Sequence, residues 1–125
     1  MKLSQAEIDQ FNSNGYLVAR GALHDRDLAP VIAEYETYID RRAEELVDQG
    51  HIKQTYANEP FDRRLIGICQ EYGDIYGELD IMHFRGRACF EFLSNPNLID
   101  LVEGLVGSEI TCSPIQHVRP KLPAG

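Results

Sequence analysis

Closely spaced cysteines are missing from this sequence. Cys69, Cys89 and Cys112 form no C-x-x-C pair and are odd in number, which sets aside a disulfide framework and a zinc knuckle. Their neighbours (Ile68; Ala88 and Phe90; Thr111) are those of thiols acting as small buried hydrophobes, and that is the role expected of all three. Long apolar runs are also missing. No stretch approaches the ~18 residues that span a bilayer, and an N-terminus carrying Gln5, Glu7, Asp9 and Gln10 has no apolar signal core, so no membrane is expected and the expected location is cytoplasmic. Positive charge is scarce, with 12 Lys and Arg against 20 Asp and Glu for a formal charge of -8. So acidic a chain gains little by releasing the counterions of a polyanion, and nucleic acid is not expected as a partner.

Ready-made chemistry is sparse too. The four histidines, at 24, 51, 83 and 117, show no H-x-H, H-x-D or H-x-x-x-H grouping of the kind that announces a metal site. His83, between Met82 and Phe84, is expected to be buried and structural. No G-x-x-x-x-G-K, G-x-G-x-x-G or G-x-S-x-G occurs, so phosphate cradles and nucleophile elbows have no support. No catalytic residue and no metal ligand is assigned. Arg63-Arg64 and Arg85-Gly86-Arg87 could grip an anion, but on an acidic background their ordinary role is to pair with nearby carboxylates.

What is present suits one domain or part of one: 125 residues, 43% hydrophobic and 9% aromatic. Ser4-Gln5-Ala6-Glu7 is an S-x-x-E capping box flanked by Leu3 and Ile8 as a hydrophobic staple, and it predicts a short helix that ends at Asn14-Gly15. Tyr16-Leu17-Val18-Ala19 reads as a brief strand between glycines. A second helix is predicted from Asp25 or Asp27 to about Gln49, with Leu28, Ile32, Tyr35, Ile39, Arg42 or Ala43, and Leu46 on its inner face. Pro30 favours Asp27 as its cap, since proline is tolerated in a first turn. The acidic side of this helix reads as a solvated outer face. A lid-like connection over 51–60 leads to a helix from Phe61 to about Tyr72. Between Ile75 and His83 a short helix and a turn-rich segment are equally compatible with the pattern. Ala88, Phe90, Phe92 and Leu93 belong to a further helix, and Asn95-Pro96 caps another that packs Leu98 to Val106 inward before Gly107. The tail, with Ile110, Cys112, Ile115 and Val118, reads as an extended or edge strand. After Glu109 it carries no acid, and it offers Gln116, His117, Arg119 and Lys121. Such a segment either reaches an anionic ligand or docks on the acidic helices.

The order of these segments is similar to the start of the phytanoyl-CoA dioxygenase family. Leu3-Ser4 to Phe11 followed by Asn14-Gly15-Tyr16-Leu17-Val18-Ala19-Arg20-Gly21 resembles that family's opening stretch, which a long helix follows. Asn95-Pro96-Asn97-Leu98-Ile99-Asp100-Leu101-Val102 to Leu105-Val106-Gly107 resembles the helix before its barrel. Gln116-His117-Val118-Arg119-Pro120-Lys121-Leu122-Pro123-Ala124-Gly125 resembles the strand leading to its metal motif. The resemblance implies an Fe(II)/2-oxoglutarate-dependent hydroxylase acting on a small-molecule or acyl substrate. It also implies an α+β fold: a mainly helical region over 1–108 with short strands, then the first strand or strands, about 109–125, of a double-stranded β-helix (jelly roll) whose core is largely absent from this chain.

The family's iron is held by an H-x-D pair and a later histidine. Here Asp25 follows His24 directly, and Lys53, Arg85 and Arg119 stand two places after the other histidines, so no metal ligand carries over. What carries over is the cosubstrate side: Lys121 matches a lysine facing the 2-oxoglutarate pocket, and Gln116 a polar position on the same strand. This chain by itself is expected to be inactive, to bind neither iron nor 2-oxoglutarate tightly, and to self-associate through an uncovered barrel edge. The alternative is a small acidic helical interaction module without a cofactor.

Overall fold

The structure, a computed structural model, describes residues 1–123. It holds seven helices among them: α1 (Gln5–Asn14), α2 (Asp25–Asp48), α3 (Phe61–Glu71), α4 (Ile75–Glu78), α5 (Ile81–Phe84), α6 (Arg87–Phe92) and α7 (Pro96–Val106). The chain divides into two compact units. One comprises Met1–Pro30 with Arg87–Pro114, and the other Val31–Gly86 with the segment from Ile115 onward.

In the first unit the helix starts follow their caps. The Ser4 hydroxyl accepts from the Glu7 N–H at 3.3 Å, and the Glu7 carboxylate accepts from the Ser4 N–H at 2.7 Å, completing the capping box. That backbone bond, with a second from the Ser4 hydroxyl, holds the Glu7 carboxyl below its ordinary pKa. Gly15, at φ 76°, ends α1 in the left-handed conformation that a residue without Cβ adopts freely. The Asn95 side-chain oxygen accepts from the N–H groups of Asn97 and Leu98 at 2.9 and 3.1 Å, with Pro96 in the first turn of α7. Asp27 links two helix starts: its carboxylate accepts from the His24 N–H at 2.8 Å and from the side-chain amides of Asn95 and Asn97 at 3.2 and 3.0 Å. α1 packs on α7, where the absence of a Cβ at Gly104 lets Leu3 sit close.

The second unit has the denser core. Tyr35, Ile39, Ala43 and Leu46 of α2 are buried with Leu65 and Ile68 of α3, Ile75 of α4, and Ile52 and Leu79 from the connections. The spacing of the α2 residues, three and four apart, is what puts them on one face. The Tyr35 hydroxyl donates to the Leu79 carbonyl at 2.9 Å, which satisfies a polar group that α2 carries into the core. The Phe84 ring lies tilted against Tyr35 at 5.1 Å and meets Tyr38 edge to face at 4.8 Å between centroids. Gly67 is where α3 takes the Tyr56 ring: a Cβ there would lie 2.6 Å from it.

The α+β expectation is overturned, because the fold is helical and no strand occurs among the described residues. Residues 16–19 and 110–118, read as strands, are irregular, and so no part of a jelly-roll sheet is seen. Alternation shows that a segment can lie extended, but a strand also needs a neighbour to complete its ladder of hydrogen bonds. Tyr16 and Val18 are instead largely exposed. Ala124 and Gly125, the end of the expected barrel strand, lie outside the described residues. α2 begins at Asp25, which leaves Pro30 inside the helix rather than in its first turn. The Asp27 carboxylate takes the His24 N–H, so the capping interaction starts the helix earlier than the proline suggested. Burial expectations also change: His83, Cys112, Leu28 and Val106 are exposed and Cys69 is half-buried, while Cys89 is buried as expected.

Candidate functional site

The site is built in the second unit from α2, α3 and the proline-containing tail. Pro120 and Pro123 cannot donate backbone hydrogen bonds and hold the tail extended. His117 fastens it, with Nδ1 2.9 Å from a carboxylate oxygen of Asp80. Asp80 is also the cap of α5, accepting from the Met82 N–H at 3.0 Å. This backbone bond first, and the His117 contact second, keep the Asp80 carboxyl below its ordinary pKa.

Beyond His117 the tail walls a cavity of about 280 Å³. Its apolar lining comes from Tyr35 and Ile39 of α2, Leu65 and Ile66 of α3, Leu79, and Val118 and Leu122 of the tail; its charged side chains are Asp62, Arg119 and Lys121. The Tyr35 hydroxyl is committed to the Leu79 carbonyl. Arg119 and Lys121 are exposed, whereas Tyr35, Ile39, Leu65 and Leu79 are buried. The arrangement is an apolar recess with two cations and one carboxylate among its lining residues, able to hold a small anion-bearing molecule. Of the two residues singled out on the tail, Lys121 lines the cavity; Gln116 is half-buried and is not among its lining residues.

A second cavity, about 240 Å³, is polar and is lined by Glu36, Ile39, Asp40, Ala57, Glu59, Phe61 and Arg64. Arg64 is buried, pairs with Asp40 and donates to the Thr55 carbonyl at 3.1 Å. Arg87 pairs with Glu91 at 2.7 Å. Both arginines thus serve nearby carboxylates.

One network was not legible in the sequence. Glu78 of α4 accepts from Arg42 Nε at 2.8 Å and Nη2 at 3.1 Å, and from the Tyr38 hydroxyl at 2.9 Å. Burial opposes ionisation of Glu78, but the bonds from Arg42 and Tyr38 outweigh it and leave the carboxyl below its ordinary pKa. Tyr38 is pushed up to about 12 by burial, by its bond to Glu78 and by that carboxylate's charge. Arg42 is raised, chiefly by its bond to Glu78. Its guanidinium also lies over the Tyr72 ring, 5.7 Å from the centroid. The available signal was an arginine on the helical stripe, where a charge requires a partner from another element.

Among the described residues no group of three or more His, Cys, Asp or Glu side chains is placed to hold a metal ion. None of their helices is long and apolar enough to cross a membrane. Comparison with protein-family models, with curated proteins and with solved structures found no match.

Proposed function

We propose that the chain is the helical N-terminal part of an Fe(II)/2-oxoglutarate-dependent dioxygenase of the phytanoyl-CoA dioxygenase type. The carrying observation is that Lys121, the position matching the family's cosubstrate lysine, lines a cavity together with Arg119. The order of the segments adds support. Lys121 would hold one carboxylate of 2-oxoglutarate through its ammonium group. When bound, 2-oxoglutarate supplies the electrons for oxygen reduction by its own decarboxylation. The apolar faces of Ile39, Leu65 and Leu79 keep water from that end of the recess. The described residues do not fit iron, since they gather no ligand set. Gln116, half-buried on the tail, would contact cosubstrate or substrate. A small-molecule or acyl substrate, a cytoplasmic setting and self-association through exposed side chains such as Phe90, 73% exposed, belong to the same proposal.

The test is the reading frame after codon 125. An in-frame H-x-D stretch, in a protein whose 2-oxoglutarate turnover falls when Lys121 is replaced by Met, upholds the reading, and a stop codon there refutes it. A second reading, an acidic helical interaction module without a cofactor, is favoured by the wholly helical secondary structure of the described residues. A stop codon together with a stable, cooperatively melting monomer would support it.

A further inference from the structure

From the cavity itself we infer that this chain binds a small monocarboxylate with an apolar body, of the medium-chain alkanoate class, without iron and without further protein. The inference stands on the lining of the recess and does not depend on the dioxygenase reading. Three properties select this ligand. The recess is small: about 280 Å³ lies at the lower edge of the ~300–1,000 Å³ usual for ligand pockets. That suits a chain of several carbons and excludes a nucleotide thioester. The lining is apolar from α2, α3 and the tail alike, and the Tyr35 hydroxyl is spent on the Leu79 carbonyl. A ligand body laid along those apolar side chains gains by leaving water.

The third property is charge. On a chain of net charge -8, this recess is lined by Arg119 and Lys121 against the carboxylate of Asp62, with the Asp80 carboxylate near enough to Arg119 to feel its charge. Charge complementarity therefore favours an anionic head over a neutral or cationic one. Both cations are exposed, so the carboxylate keeps part of its hydration while the tail is buried. Long side chains of this kind lay their methylenes along an apolar wall and keep the charge in water. A dicarboxylate is the poorer occupant, because its second charge would have to enter the apolar recess.

The test is titration calorimetry of the 125-residue chain with octanoate, 1-octanol, succinate and 2-oxoglutarate, at fixed pH and salt. Saturable binding of one octanoate per chain is expected, with octanol and succinate each weaker by about tenfold or more, the worth of one charge-assisted contact or of the buried body. Lys121→Met combined with Arg119→Met should weaken octanoate about tenfold and leave octanol unchanged. Ile66→Trp, which fills the recess from α3, should abolish both, with helicity by circular dichroism confirming that the variant folds. Equal affinity for octanol and octanoate, octanoate binding that survives Ile66→Trp, or no saturable binding overturns the inference. Tightest binding by 2-oxoglutarate also overturns it, whereas the dioxygenase reading stands or falls on the in-frame H-x-D stretch, so the two fail separately.

Discussion

The Arg42–Glu78 pair offers the sharpest test of how the second unit is held together. The two side chains retain only 17% and 18% of their exposure and meet through two hydrogen bonds. Hydrogen bonds to charged groups contribute about 1.5–3 kcal/mol each, and removing one partner of a buried pair costs about 3–5 kcal/mol because the other charge stays desolvated. Here Arg42 keeps Glu45 at 3.2 Å as a second partner, and neither group is fully dry. Glu78→Gln is therefore expected to cost about 2 kcal/mol, below the fully buried range. Urea unfolding followed by circular dichroism at 222 nm would read this as a midpoint about 1 M lower, for a slope of about 2 kcal/mol/M. Arg42→Met should cost a similar amount, and the double variant should recover about 1–2 kcal/mol of the summed loss. The sign of the pH effect follows from the depressed Glu78 carboxyl: its contribution is complete above the ordinary glutamate pKa of about 4.3 and drains away as pH falls through the lower folded value. The gap between the native chain and Glu78→Gln should accordingly close in acid. A coupling below about 0.5 kcal/mol at neutral pH, the level of an exposed pair, would refute the network as a tie between α2 and α4.

Three further outcomes follow from the same structure. With Tyr38 raised to about 12, its contribution is intact below the ordinary tyrosine value of about 10 and is lost as pH rises through the folded one; Tyr38→Phe should remove that component of the alkaline loss, and identical urea midpoints against pH for the two proteins would contradict it. Leu46→Ala empties a fully buried position and should cost about 2–5 kcal/mol by urea denaturation, whereas a loss under about 1 kcal/mol would show that the core collapses around the gap. Asn95→Ala removes the side chain that satisfies two N–H groups at the start of α7 and should cost about 1 kcal/mol, with Asn95→Gly milder, an order that melting curves can reverse.

Helix starts and buried faces were readable in advance because their causes are local. Ser4 and Glu7 are three residues apart, Asn95 acts on Asn97 and Leu98, and Tyr35, Ile39, Ala43 and Leu46 keep a helical period, so each signal lies within a turn or two of the residue it predicts. α2 begins at Asp25, the earlier of its two expected starts, for an equally local reason, since Asp27 takes the His24 N–H and outweighs the preference of Pro30. The missed strands and the missed ion pair have non-local causes. A strand at 16–19 or 110–118 requires another segment alongside, and alternation in one segment carries no information about that neighbour. Arg42 needed Glu78, thirty-six positions away, to show that a charge on the apolar stripe was tied down rather than misplaced.

The tail lies between these cases. Its change of charge sign was visible, but which of its residues would face a cavity was not. A period of two puts Gln116 and Val118 on one face and His117 and Arg119 on the other, yet Val118 and Arg119 both line the same recess. Proline at 120 breaks the alternation, and His117 anchors to Asp80. The site is thus set less by strand geometry than by where the tail is fastened. For a segment without a ladder, the informative sequence feature is the side chain that can pin it, here a histidine within reach of a helix-capping aspartate.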